Sequence, residues 1–152
     1  MKKIIFLFLL SSLNLVHQKS FSQITKNDID SAFKKNEIKI AGEGRSCAIV
    51  NFLAGDLNRD STQDVLVYYS CQIKETIGKS TTGGGWAIWL NKNGTLEFLL
   101  KDENKFGLSP KEIFSDGSVL CDQLGYDSDS SKPSVIGHRK VKLTDKGLVI
   151  LK

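Results

Sequence analysis

The chain has 152 residues, of which 25% are charged and 40% hydrophobic, with a formal net charge of +4. Three lysines behind that balance, Lys2, Lys3 and Lys19, fall in the first 22 residues, which leaves the remainder at about +1 with its cations scattered. This excludes the basic stripe or face that nucleic-acid binding requires, and the length suits one domain with one core.

The chain opens with "MKKIIFLFLLSSLNLVHQKSFSQ", in which Lys2 and Lys3 precede an apolar run from Ile4 to Leu10 and a small-x-small site at Ser20-Phe21-Ser22. That pattern predicts a secretory signal peptide over 1–22, cut before Gln23. The run is too short for a permanent bilayer-spanning helix. No cysteine lies near the cut, so no lipid anchor is expected. Residues 23–152 are then one globular domain, periplasmic or secreted, with no stable membrane insertion after cleavage.

In the mature chain, "TKNDIDSAFKKN" reads as a short helix with Thr25 as N-cap, Asp28 at N3, and Ile29, Ala32 and Phe33 on one face. After Gly42 and Gly44 the pattern changes to strands. "SCAIVNFL" and "DVLVYYSC" are dense in β-branched and aromatic residues, and an acidic loop joins them. "KETIGKSTTGGG" (74–85) reads as a low-complexity loop. "GWAIWLNK" and "TLEFLLKD" meet at Asn93-Gly94, a strong hairpin signal, which sets Trp89 opposite Phe98 and Ala87 opposite Leu100. Trp89, Ala87, Leu96, Phe98 and Leu100 then share one buried face, and Trp86 points the other way. "SPKEIF" reads as a helical turn with Pro110 first. "GSVLCDQLGY", "SVIGHRKVKL" and "LVILK" supply further strands, the last two turning around Asp145-Lys146-Gly147. The expected class is α+β, β-dominated: a mostly antiparallel sheet of hairpins with a short N-terminal helix.

Three cysteines remain in the mature chain, and an oxidising compartment favours pairing. A hairpin centred on the acidic loop sets Leu53 opposite Val65, and the same register sets Cys47 opposite Cys71. This favours Cys47–Cys71, with Cys71–Cys121 and Cys47–Cys121 left open.

The acidic loop, "GDLNRDSTQD" (55–64), places oxygen-bearing side chains at the spacing a hard cation needs. "AGDLNRDSTQDVLVYY" resembles the calcium loop of FG-GAP/VCBS-type repeats, with their integrin-like Asp-x-Asn-x-Asp-x-x-x-Asp pattern. The resemblance covers about ten residues. It implies calcium held by the side chains of Asp56, Asn58, Asp60 and Asp64 and by the backbone carbonyl of Thr62. Ser61 stands at the sixth position, where that turn needs positive φ and usually takes glycine. "DSDSSKPSV" (127–135) begins similarly, but Val135 replaces the closing acid, so it is not read as a second site.

Enzyme signatures are sparse. His138 is the only histidine outside the leader, which excludes a multi-histidine zinc site. Cys121 and His138 could pair as nucleophile and base only if the fold brought them together. The expectation is an exported, non-enzymatic protein-binding module of inhibitor or immunity type, acting on another extracytoplasmic protein and stabilised by one calcium ion. Its contact surface is expected at Gly83, Gly84, Gly85 and Trp86. The alternatives are a calcium-dependent surface or adhesion module and a hydrolase of unrecognised type.

Overall fold

The computed structural model describes residues 23–74, 83–105, 107–125 and 132–151. Residues 1–22, read above as a signal peptide, most of the 74–85 stretch and the 127–131 part of the second acidic stretch lie outside the described residues.

Helix α1 spans Lys26–Lys35. It starts at Thr25 because a capping box closes its first turn. The Asp28 amide donates to the Thr25 hydroxyl, and the Asp28 carboxylate accepts from the Thr25 amide at 2.9 Å. Lys34 and Lys35 in the last turn suit the negative end of the helix dipole. The chain then makes a second short helix, α2 (Glu37–Ala41), which the sequence reading did not anticipate. Gly42 and Gly44, both at positive φ, carry the chain out of α2 and into the first strand.

Among the described residues eight strands follow: β1 (Arg45–Gly55), β2 (Asp64–Ile73), β3 (Gly83–Lys92), β4 (Thr95–Asp102), β5 (Leu108–Ile113), β6 (Ser118–Gly125), β7 (Ser134–Thr144) and β8 (Gly147–Leu151). They form two four-stranded antiparallel sheets, β1-β2-β3-β4 and β5-β6-β7-β8, where the sequence pattern predicts a single sheet. Each is a simple meander, so neighbours in sequence are neighbours in space.

The two central strands of the first sheet, β2 and β3, are buried on both faces. Val65, Val67, Tyr69, Cys71, Ala87 and Trp89 face Ile29, Phe33 and Ile40 of the helices. Leu66, Tyr68, Trp86 and Ile88 face Leu108, Val119, Cys121 and Val141 of the second sheet. The order is therefore helices, first sheet, second sheet. This explains why "VLVYYSC" and "GWAIWL" are near-continuous apolar runs, since a strand covered on both faces has no polar side to alternate with. The two sheets are also tied along one margin, where Asn51 Nδ2 donates to the Pro110 carbonyl at 3.1 Å and Gly55 abuts Ile113.

Three details depart from the expected registers. Pro110 does not begin a helix but lies in β5, opposite Cys121. β5 is an edge strand with a register shift between Pro110 and Glu112, and an edge beside a bulge is where proline does least harm to a ladder. In the β3–β4 hairpin the Asn93-Gly94 turn forms with φ of 56° and 88°, and Trp89 pairs with Phe98 as expected. A register shift at Leu99 then sets Ala87 opposite Lys101 and Ile88 opposite Leu100, so Leu100 serves the sheet–sheet core. In β1–β2, Leu53 pairs with Leu66, one position off the expected register. A bulge at Val50 cancels that offset and brings Cys47 opposite Cys71, where they form a disulfide.

Candidate functional site

In a meander alternate turns share an end, and packing of the two sheets brings the turns after β1, β3, β5 and β7 to one end of the fold. The acidic loop, 56–63, is the hub of that end. The Thr62 hydroxyl donates to the Asn91 carbonyl at 3.2 Å, next to the β3–β4 turn. Gly117, in the β5–β6 turn, lies so close to the loop that a Cβ there would sit 2.7 Å from the Leu57 carbonyl oxygen. Asn58 lines, with Leu99, Leu143 and Asp145, a cavity of about 300 Å³ that reaches the β7–β8 turn.

The loop is anchored from within. Leu57, the second residue of the pattern, is buried in the sheet–sheet core. An apolar residue inside an otherwise acidic stretch was the sequence signal for this anchor. Asp64, fully buried, accepts from the backbone amides of Leu57 and Asn91, each at 3.0 Å. Asn91 carried no sequence signal, because its role exists only once β3 lies beside β2.

The remaining side chains curl the loop. Asp56 accepts from the amides of Asp60 at 3.1 Å and Ser61 at 2.9 Å. Asn58 Oδ1 also accepts from the Asp60 amide, and its Nδ2 donates to Asp60 Oδ2 at 2.9 Å. Asp60 Oδ1 accepts from both the amide and the hydroxyl of Thr62. Arg59 and Ser61 take φ of 67° and 66°, so Ser61 adopts the left-handed conformation required of the sixth position without being glycine.

The electrostatics separate the two ends of the loop. Burial pushes the Asp64 carboxyl above its ordinary value; its hydrogen bonds from Asn91 and Leu57 oppose this, and the Asp60 charge adds to it. Asp60 is held below the ordinary value, chiefly by the Thr62 hydroxyl and then by Asn58. Asp64 is thus a buried carboxylate whose described hydrogen bonds come from neutral amides.

The donors are all hard oxygen, the type calcium takes, and a carboxylate oxygen that accepts one amide keeps a second lone pair. The residue types therefore fit the ion. Their present aim differs: among the described residues no three carboxylate, histidine or cysteine side chains converge on one point as a metal centre. The side chains turn to backbone amides first.

No known protein family, curated protein or solved structure matches this chain.

The other expected sites fare differently. Gly84, Gly85 and Trp86 do not form a contact surface, because all three are buried and only Gly83 of the four is half-exposed. Trp86 lies in the sheet–sheet core, where its Nε1 donates to the Leu108 carbonyl at 2.8 Å. Gly85 is glycine for packing: a Cβ there would sit 2.4 Å from the Asp102 carbonyl oxygen. Cys121 and His138 point to opposite faces of the second sheet. Cys121 packs inward with its thiol pushed up to about 12 by burial and the Asp122 charge, whereas His138 faces outward against Asp122 at 2.8 Å. They do not make a nucleophile and base. Among the described residues no helix is long and apolar enough to cross a membrane. The Cys47–Cys71 disulfide suits an oxidising compartment.

Proposed function

We propose that this chain is an exported, non-enzymatic protein-binding module of inhibitor or immunity type, acting on another extracytoplasmic protein. The observation that carries the reading is the gathering of four hairpin turns at one end of a disulfide-tied, two-sheet scaffold, with the acidic loop at their centre. Loops fixed on a rigid scaffold are where binding residues concentrate. The leader-like first 22 residues and the disulfide support export. The test is retention of an extracytoplasmic protein on immobilised 23–152, with and without a calcium chelator. A specific partner in both conditions supports the reading, and no specific partner in either overturns it.

A second reading, a calcium-dependent surface or adhesion module, is favoured by Ser61, which adopts positive φ at the position where the FG-GAP-like pattern needs it. Asp56, Asn58, Asp60 and Asp64, with the Thr62 carbonyl, would hold the ion. A bound divalent cation would offset three carboxylates, including the buried Asp64. We expect weak binding, sub-millimolar to millimolar, as in extracellular modules. Calcium at about a hundred times its dissociation constant would then add about 2.7 kcal/mol of stability. Melts in calcium, magnesium and chelator should show a calcium-raised midpoint for the wild type and none for Asp60→Ala. Identical melts in all three would remove the ion from the account, and partner retention lost with chelator would favour this second reading over the first.

A further inference from the structure

The register of β1 is pinned twice, and the two pins disagree by one residue. Beyond the bulge, Asn51, Phe52 and Leu53 pair with Tyr68, Val67 and Leu66, a register set at the loop end by Leu57 and Asp64. Before the bulge, Cys47 and Ile49 pair with Cys71 and Tyr69, a register held by the disulfide and, beyond it, by the Lys74 amide donating to the Gly44 carbonyl at 2.9 Å. Val50 absorbs the mismatch and is left 56% exposed, on a strand whose other residues are half-buried or exposed.

We infer that reduction of Cys47–Cys71 releases a one-residue register switch in β1. The step is ordinary thiol–disulfide exchange: a dithiol gives two electrons and two protons, its own disulfide forms, and Cys47 and Cys71 each become thiols. Without the bond, the loop-end register extends through the strand and the bulge disappears. Because side chains alternate, a slip of one position exchanges the two faces of residues 45–49. Val50 then lies opposite Tyr69 and Ala48 opposite Cys71, replacing Ile49 and Cys47 against the helix-side core.

The sequence suits both states. "CAIV" (47–50) is apolar at every position, so either register presents an aliphatic residue to Tyr69 and a small one to position 71. The rest of the fold permits the movement. Among the described residues β1 lies at the edge of its sheet with β2 as its ladder partner, so no second described ladder must break. Its ties to the second sheet, at Asn51 and Gly55, lie on the loop side of the bulge and stay in place. The displaced end runs into Gly42 and Gly44, both at positive φ and with no atom near where a Cβ would stand, so that connection can absorb one residue of travel. The switch turns Cys47 and Ile49 away from the helix-side core, which couples the redox state of the compartment to the surface the protein presents.

The experiment compares oxidised 23–152, the same protein reduced with dithiothreitol, and Cys47→Ser/Cys71→Ser. Nuclear Overhauser contacts across β1–β2 are read in each. Oxidised protein should show Ile49 against Tyr69, and the other two should show Val50 against Tyr69 with Ile49 in solvent. In the reduced protein Cys47 should alkylate about tenfold faster than Cys71, since only Cys47 faces outward. Val50→Asp separates the switch from general loosening. It places its charge in solvent in the bulged register but in the core in the slipped one, so it should keep Ile49 against Tyr69 in both redox states. A reduced wild type that retains the Ile49–Tyr69 contact, or that unfolds, overturns the proposal.

Discussion

Asp64 and Asp60 lie four residues apart in one loop, and the fold moves their carboxyl groups in opposite directions. A raised value in the folded state means that the folded chain holds the Asp64 proton more tightly than the unfolded chain does. Ionised Asp64 therefore costs stability, and the cost is absent below the unfolded value near 3.8 and complete once pH has risen through the folded value. Asp60 has the opposite sign: its contribution is present above the unfolded value and is lost as pH falls through its lowered folded value. Titration of the side-chain carboxyl carbons in calcium-free solution should place the Asp64 midpoint above that of Asp60, and the reverse order would contradict the geometry of the loop. The two tryptophans form a second pair that sequence alone ranks wrongly. Both are buried, Trp89 beside Phe33 and edge-on to Phe98 with ring centroids 5.4 Å apart, Trp86 between the sheets. Their indole nitrogens differ. That of Trp86 donates to the Leu108 carbonyl, and that of Trp89 is buried without a hydrogen bond. Trp86→Phe should accordingly cost about 1 kcal/mol more than Trp89→Phe in denaturant melts, the net value of one hydrogen bond.

At the scale of elements, hairpins were the legible part and registers were not. Asn93-Gly94 fixed its turn because both residues accept positive φ, and Thr25 with Asp28 fixed the start of α1 because the capping bonds are local. The bulges at Val50, Leu99, Lys111 and Ile136 left no mark in the sequence, since a bulge reflects how two ends of a strand are held by different neighbours. Cys47 and Cys71 pair as the simple hairpin register predicts, but by two offsets that cancel, since the loop shifts the register and Val50 shifts it back. Pro110 misleads because proline suits the first position of a helix as well as an edge strand. The disulfide leaves Cys121 as the remaining thiol, buried and with its ionisation pushed up to about 12. Folded, unreduced 23–152 should therefore resist thiol reagents, and the denatured, unreduced chain should give one thiol. Three thiols, or a reactive Cys121 in the folded state, would contradict this. The bond closes a loop whose chain-entropy value is roughly 3 kcal/mol, so reduction should lower the melting midpoint.

At the scale of the molecule, the first sheet depends on a cover at each face. Ile29, Phe33 and Ile40 cover one, and the second sheet covers the other. Removal of residues 23–43 would leave Val65, Val67, Ala87 and Trp89 facing water, and we expect 44–152 to lose cooperative unfolding and to aggregate. Cooperative melting of that fragment would show that the helices are accessory. The sequence by itself determined the local quantities: the capped helix, the strand-rich composition, the tight turns, the acidic loop and its oxygen ligand types. These depend on neighbours a few residues away and on the φ that each residue tolerates. Only the tertiary structure decided that there are two sheets, that Trp86 is core, that Cys121 and His138 face apart, and that Asn91 holds Asp64. Each of these depends on which face of a strand meets another layer, and a strand that is apolar on both faces carries no internal record of which side is which.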